Sequence, residues 1–329
     1  MKIVVLMGGT SPEREVSLES GKNIASTLRE AGHDVIPLDT VLPIDQLKEP
    51  VLVTEEHIKN GDKNLIELLK TEEVKNADFI FNALHGGSGE NGVVQAILDT
   101  FGYKYNGSDV EGCAIAMDKI TTKRIFELLG IPTPRWLHYS RNNATEFNRI
   151  CEEIAAKFAF PIVVKPARQG STVGVSVVRG KQELTSAIKL AFKYDNEIVI
   201  EEFIEGRELT VGIVGNQALP VLEIVPKHGI YDYECKYKNG MSEYIVPADI
   251  DQEVASRIQK LSLTAFEALR CYGYGRFDLR LGRDGTPYFF ELNSLPGMTS
   301  HSLVPKAANA AGLSFIKLLE KIIELGLIR

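Results

Sequence analysis

Alternating polar and apolar positions between residues 276 and 281 predict a β-strand with one buried face. The segment reads Arg-Phe-Asp-Leu-Arg-Leu, which has the two-residue period of a strand. Asp284-Gly285 follows as a strong hairpin-turn signal, and a second limb rich in aromatic residues runs to position 293. The pattern therefore predicts a β-hairpin.

Pairing across this hairpin brings carboxylates together. With Asp284-Gly285 as the turn, Asp278 lies opposite Glu291 and Arg276 lies opposite Asn293, all on one face. Two opposed carboxylates repel each other, so the pair either raises a pKa or holds a cation. Oxygen ligands of this kind suit Mg²⁺. The alternative is the solvated outer face of an ordinary hairpin. Against it, the small-residue turn at 294–302 offers backbone N–H groups to an anion.

The first 108 residues alternate strand and helix patterns, which predicts an open α/β sheet with ligands at the carboxyl ends of its strands. Polar clusters follow two of these strands, at 8–17 and 85–92. Glu13 in the first cluster is also the kind of acid that a helix N-terminus favours, and His85 in the second is also a common strand-end residue. The dinucleotide fingerprint G-x-G-x-x-G is absent. The predicted strands cover 2–6, 35–38 and 79–84, and the predicted helix covers 16–31.

A second unit follows residue 108. A helix opens at 117–123 and ends near Gly130, and a strand covers 161–165. Lys165 interrupts this apolar strand, where an unpaired charge is costly, so we expect an anion beside it. The glycine-rich loop at 170–174 can close over phosphates, although a plain hairpin turn is the better explanation of the loop taken alone. No P-loop pattern occurs.

The remaining segments complete the predicted elements. A strand covers 197–204, and two more lie within 206–225. The polar-aromatic segment 226–247 is a long loop of the kind that is usually functional. Residues 40–77 are polar and irregular by comparison, and we assign them no function. An amphipathic helix covers 251–269, before the hairpin, and a last helix covers 315–327, after it.

Composition narrows the class of protein. The chain has 329 residues, enough for two or three domains, with 25% charged and 44% hydrophobic residues. The net charge of −7 argues against a nucleic-acid partner. We find neither a signal peptide nor an apolar run of the ~20 residues that span a bilayer. The four cysteines, Cys113, Cys151, Cys235 and Cys271, lack zinc or disulfide spacing, so we expect reduced thiols in a cytoplasmic protein.

Two motifs carry a family resemblance. Gly-Arg-Phe-Asp at 275–278 and the run 289–303, Phe-Phe-Glu-Leu-Asn-Ser-Leu-Pro-Gly-Met-Thr-Ser-His-Ser-Leu, resemble the D-alanine:D-alanine ligases of the ATP-grasp superfamily. The resemblance covers nearly the whole chain apart from 40–77. It implies an N-terminal open α/β, Rossmann-like domain and two α+β domains that clasp ATP. The implied boundaries are 1–108 for the substrate-binding domain, 109–201 for the central ATP-grasp subdomain and 202–329 for the C-terminal subdomain with the metal site.

The resemblance also implies the reaction and its partners. Two D-alanines would be joined through an acyl phosphate, with ATP and two Mg²⁺ ions that Mn²⁺ can replace, for peptidoglycan precursor synthesis in the cytoplasm. A homodimer is implied as well. Metal ligands would be Asp278, Glu291 and Asn293, and Arg276 with the Gly297 N–H would stabilise an oxyanion.

Substrate contacts follow from the same resemblance. Glu13 and His85 would lie at the first D-alanine, and Ser302 and Leu303 at the second. A hydrogen-bonded set would join Glu13 to two residues of distant segments, Ser171 and Tyr237.

Nucleotide contacts complete the implied site. Lys119 and Lys165 would bind phosphates beneath the mobile loop that carries Ser171. Backbone groups near Phe203 and Ile204 would bind adenine, where Glu202 departs from the basic residue of many relatives. Further implied nucleotide-site residues are Glu208, at the ribose hydroxyls, and Glu201, Lys236 and Phe289.

Three alternatives stay open. A D-alanine:D-lactate ligase keeps the same machinery, and Phe commonly replaces Tyr237 there. A nucleotide-dependent oxidoreductase would need the missing dinucleotide fingerprint. A non-catalytic ATP-binding regulator would be expected to lack some of the hairpin residues, and Asp278, Glu291, Asn293 and Arg276 are all present.

Overall fold

β-Sheets organise the chain. The structure is a computed structural model that describes residues 1–43, 52–141, 147–227, 241–299 and 302–329. These residues form three sheets, of three, four and six strands. Within these ranges, no helix combines the length and apolar character needed to cross a bilayer.

The first sheet belongs to the open α/β arrangement that the alternating pattern predicts. Its strands are parallel, in the order β2-β1-β3. The four central residues of β1 are buried, because both faces of this strand are covered. Helix α1 begins at Arg14, two residues before its predicted start. The elements are β1 Lys2–Met7, α1 Arg14–Glu30, β2 Asp34–Asp39 and β3 Phe79–Asn82.

The segment 40–77 is more regular than predicted. Its described part, residues 40–43 and 52–77, contains three short helices: α2 Glu55–Lys59, α3 Gly61–Leu69 and α4 Glu72–Lys75. The side chains of Leu65, Leu68 and Leu69 are buried, and those of Leu65 and Leu69 pack in the core of the first sheet. Their three- and four-residue spacing is a helical signal that the many charged neighbours obscure.

Helices and a four-stranded sheet follow. Helix α7 is capped by Asp118, whose carboxylate accepts hydrogen bonds from the backbone N–H groups of Ile120 and Thr121. The sheet is antiparallel in the order β4-β7-β5-β6. The elements are α5 Val93–Phe101, α6 Val110–Met117, α7 Lys119–Leu128, β4 Trp136–Ser140, α8 Phe147–Lys157, β5 Ile162–Pro166, β6 Ser176–Val178, α9 Lys181–Tyr194 and β7 Glu197–Glu202.

The third sheet holds the predicted hairpin. Its order is β11-β10-β8-β12-β13, with β9 paired to β8. The elements are β8 Gly206–Val214, β9 Gln217–Ala218, β10 Leu222–Pro226, β11 Ser242–Ile245, α10 Gln252–Ala268, β12 Tyr274–Gly282 and β13 Pro287–Asn293.

The hairpin pairs as predicted at the end that carries Asp278 and Glu291, but not at its turn. Asp278 lies opposite Glu291, and Arg276 opposite Asn293. Near the turn the register differs by one residue, because the loop contains three residues, 283–285, rather than two. A β-bulge between the Asp278 and Leu279 pairs adds Phe290 to the second strand and restores the predicted register.

The C-terminal helices return to the first sheet. These are α11 Leu303–Ala310 and α12 Phe315–Ile328. Leu318, Leu319 and Ile322 of α12 are fully buried in one core with Ile3 and Phe79. The hairpin is thereby held against the first sheet by the chain that follows it.

Candidate functional site

A cavity of about 320 Å³ lies where the three sheets meet. It receives side chains from α1, the end of β3, α7, the glycine-rich loop and β12–β13. Ten residues predicted from the sequence line it: Glu13, His85, Lys119, Ser171, Arg276, Glu291, Asn293, Gly297, Ser302 and Leu303.

Glu13 is enclosed by backbone from two distant segments. It is the N-cap residue of α1, but its side chain does not cap the helix. A Cβ added at Gly86 would lie 2.5 Å from the Glu13 Oε2 atom, and one added at Gly170 would lie 2.9 Å from it. The Ser171 hydroxyl donates a hydrogen bond to the Glu13 carboxylate. A side chain at either glycine would therefore displace the Glu13 carboxylate from its present position.

The glycine-rich loop has an unusual backbone. Ser171 has a φ of 46° and Thr172 a φ of 61°, in the left-handed region that side chains other than glycine rarely adopt. Such conformations cluster at ligand sites and mobile segments. The loop places the Ser171 hydroxyl at the cavity despite this cost.

His85 connects the first sheet to the turn after the hairpin. Its ring is 6% exposed. Nδ1 lies 3.1 Å from the carbonyl oxygen of Leu295, and Nε2 lies 3.0 Å from the Ser20 hydroxyl. Because a carbonyl oxygen accepts, Nδ1 carries the hydrogen in this arrangement. The Glu90 carboxylate lies 3.7 Å from the same ring nitrogen.

One face of the hairpin presents alternating charges. Arg276 donates from Nε and Nη2 to the two Asp278 carboxylate oxygens, at 2.8 and 2.7 Å. Thr210 on β8 donates to the same carboxylate at 2.9 Å. On β13, Glu291 Oε2 lies 3.0 Å from the Lys119 amino group. The Asn293 side-chain oxygen accepts from the Leu295 N–H at 3.1 Å.

The donor set on this face fits a hard divalent cation. Asp278 and Glu291 are direct cross-strand partners, and Asn293 follows two residues later on the same face. Within the ranges that the structure describes, no three His, Cys, Asp or Glu side chains converge as a metal cluster. Two carboxylates and an amide match Mg²⁺, which completes its coordination with water and substrate phosphates.

The anion beside Lys165 is a protein carboxylate. Glu201 is 3% exposed, and its two oxygens lie 2.8 Å from the Lys165 amino group and 2.7 Å from that of Lys123. Lys123 also donates to the Thr133 hydroxyl at 2.6 Å, and Thr133 donates to the Phe289 carbonyl at 2.9 Å. The predicted cost of a charge on this strand is therefore offset within the protein.

Electrostatics within this cluster are coupled. Burial lowers the pKa of Lys123 to about 8, although the Glu201 carboxylate acts in the opposite direction. Burial would raise the pKa of Glu201, but Lys123 and Lys165 outweigh it and leave that pKa below its ordinary value. The Glu201 carboxylate thus holds the two lysines and does not line the cavity.

The predicted adenosine residues lie beyond the lysines. Phe203 and Ile204 connect β7 to β8, and Glu208 lies on β8. Arg280 contacts all three of these residues, through Glu208 Oε2 at 2.7 Å, the Ile204 carbonyl at 2.9 Å and the Phe203 ring at 5.1 Å.

Phe289 does not face this region. Its side chain is fully buried, with its ring centroid 6.1 Å from that of Phe126 and 5.7 Å from that of Phe277. The β-bulge turns Phe290 toward the cleft in its place, with the Lys165 amino group 5.9 Å from the Phe290 ring centroid. This corrects the prediction of Phe289 as a nucleotide contact.

The turn after the hairpin forms the far wall of the cavity. Ser302 is the N-cap residue of α11, and its hydroxyl oxygen accepts from the Thr299 N–H at 3.1 Å. A Cβ added at Gly297 would lie 3.1 Å from that oxygen. The predicted residues Lys236 and Tyr237 lie outside the described residues, with most of the loop 226–247.

Four residues of the site were missed by sequence reasoning: Lys123, Thr133, Arg280 and Phe290. Lys123 follows Lys119 by four residues, which places both on one face of α7. Arg280 follows the same strand alternation that identified Arg276 and Asp278. No sequence signal distinguished Phe290 from Phe289, because the bulge changes which of them faces the core.

Comparison with known proteins identifies close relatives. The models described as "D-ala D-ala ligase N-terminus" and "D-ala D-ala ligase C-terminus" match residues 2–108 and 125–324. A D-alanine--D-alanine ligase from Carboxydothermus hydrogenoformans is 40% identical over 99% of this chain and 98% of that protein.

Solved structures match over the same length. One is a Bacillus anthracis D-alanine--D-alanine ligase complexed with ATP, with a TM-score of 0.80 and 34% identity over 100% of this chain and 98% of that one. Another is the VanG D-Ala:D-Ser ligase of Enterococcus faecalis, with a TM-score of 0.80 and 33% identity over 99% of both chains. These matches confirm the family resemblance and the ATP-grasp fold predicted from the sequence.

Proposed function

The chain belongs to the D-alanine--D-alanine ligase family, and we propose that it joins two D-alanines into D-alanyl-D-alanine while ATP is converted to ADP and phosphate. The observation that carries the proposal is one cavity lined by the acid of α1, the lysine of α7 and the charged face of the hairpin. The dipeptide serves peptidoglycan precursor synthesis. A cytoplasmic location and a homodimer belong to the same proposal.

The first step activates a carboxylate. Glu13 binds the ammonium group of the first D-alanine, beside His85, and leaves its carboxylate directed at the γ-phosphate of ATP. A carboxylate oxygen attacks phosphorus, the bond to the β-phosphate oxygen breaks, and an acyl phosphate and ADP form. Phosphoryl transfer depends mostly on positioning and charge neutralisation. Lys119, which is held 3.0 Å from Glu291 at the cavity wall, supplies a cation there.

The second step forms the peptide bond. The amine of the second D-alanine, positioned by Ser302 and Leu303, attacks the acyl carbon. Negative charge then develops on the carbonyl oxygen, where the Arg276 guanidinium and the Gly297 N–H stabilise it. Phosphate leaves with the bonding electron pair, and the amine loses a proton. Closure of the Ser171 loop keeps water from the acyl phosphate.

The proposal also assigns three side chains to metal binding. Asp278, Glu291 and Asn293 would hold two Mg²⁺ ions, for which Mn²⁺ can substitute. When bound, the ions neutralise phosphate charge during transfer. Asp278 is paired with Arg276 and Glu291 with Lys119, so each carboxylate faces a cation of the protein itself.

The remaining predicted residues are proposed to bind the nucleotide. Lys165 contacts phosphate from its position beside Glu201, and the backbone near Phe203 and Ile204 contacts adenine. Glu208 binds the ribose hydroxyls. Phe290 replaces Phe289 as the aromatic side chain facing the nucleotide.

Isotope transfer tests the proposed chemistry. D-alanine labelled with ¹⁸O in its carboxylate is mixed with Mg-ATP and the protein, and the released phosphate is analysed by mass spectrometry. The acyl-phosphate route places one ¹⁸O atom in each phosphate. Unlabelled phosphate would show that water attacks ATP instead, and would overturn the proposal. Glu291→Gln serves as the control, because it keeps the side-chain shape but removes the charge expected at the metal.

A further inference from the structure

We propose that Arg280 is a positioning residue for the adenosine half of ATP, holding the side chain and backbone that bind the ribose and adenine. The inference rests on the proposed function and deepens it. It assigns a role to a residue that neither the sequence motifs nor the hairpin chemistry explains.

Three contacts converge on the Arg280 guanidinium. Its Nε and Nη2 atoms each lie 2.7 Å from Glu208 Oε2. Its Nη1 atom donates to the Ile204 carbonyl at 2.9 Å, and its Cζ atom lies 5.1 Å from the centroid of the Phe203 ring. A planar guanidinium with five N–H donors makes these contacts together, which an ammonium group cannot do.

Burial makes the pairing effective. The side chains of Arg280 and Glu208 are 11% and 14% exposed, so water competes weakly for either charge. They are also direct cross-strand partners between β12 and β8, which brings them together without a long reach. The carboxylate is therefore fixed before nucleotide arrives.

Arg280 also determines how the connection between β7 and β8 lies. Phe203 and Ile204 fall between the two strands, outside the regular ladder of either sheet. The Phe203 N–H donates to the Pro161 carbonyl at 3.4 Å, which ties it to the central unit. The bond from Arg280 to the Ile204 carbonyl ties the next residue to the third sheet. The proposed adenine-binding backbone is thus held from both sides.

A second arginine provides a matched control. Arg207 precedes Glu208 on β8, so its side chain points to the opposite face of the sheet. It forms a similar pair with Glu223, with Nε to Oε1 at 2.7 Å and Nη2 to Oε2 at 2.5 Å. Arg207→Met removes an arginine–glutamate pair of the same sheet without touching the proposed adenosine contacts.

The experiment measures nucleotide affinity directly, by calorimetry with ATP, 2′-deoxy-ATP and 3′-deoxy-ATP. Proteins compared are the wild type, Arg280→Met, Arg280→Lys and Arg207→Met, each checked by thermal melting. We expect wild type to bind ATP more tightly than at least one deoxy analogue. Arg280→Met should weaken ATP binding roughly tenfold and narrow this discrimination. Arg280→Lys should lie between the two, and Arg207→Met should match wild type.

Equal losses for ATP and both deoxy analogues in Arg280→Met would overturn the proposal, because a merely structural role weakens all three alike. Unchanged discrimination in Arg280→Lys, should Arg280→Met fail to fold, would overturn it as well. So would a wild type that does not distinguish the three nucleotides. Failure of the proposed function would be seen in a different assay, as a wild-type protein that forms no dipeptide. The nucleotide affinities of wild type and variants could still be measured in that case, so the two failures are distinguishable.

Discussion

Arg276 binds Asp278 through two parallel hydrogen bonds, of 2.8 and 2.7 Å. The arginine proposed to stabilise the oxyanion is thus paired with a proposed metal ligand on the same strand. A carboxylate that accepts two arginine bonds and one from Thr210 has little capacity left. We therefore expect a metal ion bound at Asp278 to compete with Arg276 for this carboxylate, which would leave the guanidinium available to the substrate.

This relationship predicts the effect of Asp278→Asn. Without the charge, metal binds weakly and Arg276 loses its charged partner, so we expect turnover to fall at least ~100-fold and the Mg²⁺ requirement to rise. Phosphate release measured across a range of MgCl₂ concentrations checks this. Asp284→Asn, in the turn of the same hairpin, is the control and should remain active. A normal Mg²⁺ response in Asp278→Asn would refute the assignment.

The buried Lys123 should make the free energy of unfolding of the protein depend on pH. Because burial lowers its pKa to about 8 from an ordinary 10.5, the unfolded chain binds more protons than the folded one between these pH values. The free energy of unfolding of wild type should then rise with pH across this window, relative to Lys123→Met. Lys123→Met should itself cost about 3 kcal/mol, since Glu201 loses one of its two cations. Urea unfolding at pH 7.5 to 10 measures both effects, and a pH-independent difference would contradict the first.

The Ser171 hydroxyl should control loop closure. Ser171→Gly relieves the left-handed backbone while removing the hydrogen bond to Glu13, so any loss reflects the bond and not strain. We expect the KM for D-alanine to rise at least ~10-fold, since the bond involves a charged acceptor. Hydrogen exchange at 168–175 should show protection by an ATP analogue plus D-alanine in wild type but not in the variant. Thr172→Gly, which relieves the same kind of backbone, should keep the protection.

From the sequence and the family resemblance, we expect Tyr237 to favour D-alanine over D-lactate as the second substrate. A phenol can hydrogen-bond to Ser171 and onward to Glu13, whereas Phe cannot. Tyr237→Phe should shift products from D-alanyl-D-alanine toward D-alanyl-D-lactate, most visibly below neutral pH where the acceptor amine is protonated. Chromatography of reactions containing both acceptors measures the ratio, with Tyr231→Phe as the control. An unchanged ratio in Tyr237→Phe would remove this role.

Local patterns predicted the elements that form the cavity. Strand alternation identified the face that holds Asp278 and Glu291, and the polar clusters after two strands identified Glu13 and His85. These signals work because each element buries one face and exposes the other. The structure brings all these residues to one region.

Contacts between distant segments could not be predicted from the sequence. The need for an anion at Lys165 was predictable, but its identity as Glu201 depends on how β5 pairs with β7. One β-bulge decides that Phe289 faces the core and Phe290 does not, and the hydrophobic pattern of the sequence does not reveal that bulge. The packing of α12 on the first sheet joins residues more than 200 positions apart along the chain.

Product analysis tests the central claim most directly. The purified protein is incubated with Mg-ATP and D-alanine, L-alanine, or D-alanine together with D-lactate, and ADP, phosphate and condensation products are measured in the same sample. We predict one D-alanyl-D-alanine for each ADP and phosphate, no product from L-alanine, and dipeptide as the main product when D-lactate is present. ATP consumption without dipeptide, or a depsipeptide as the main product, would contradict the account.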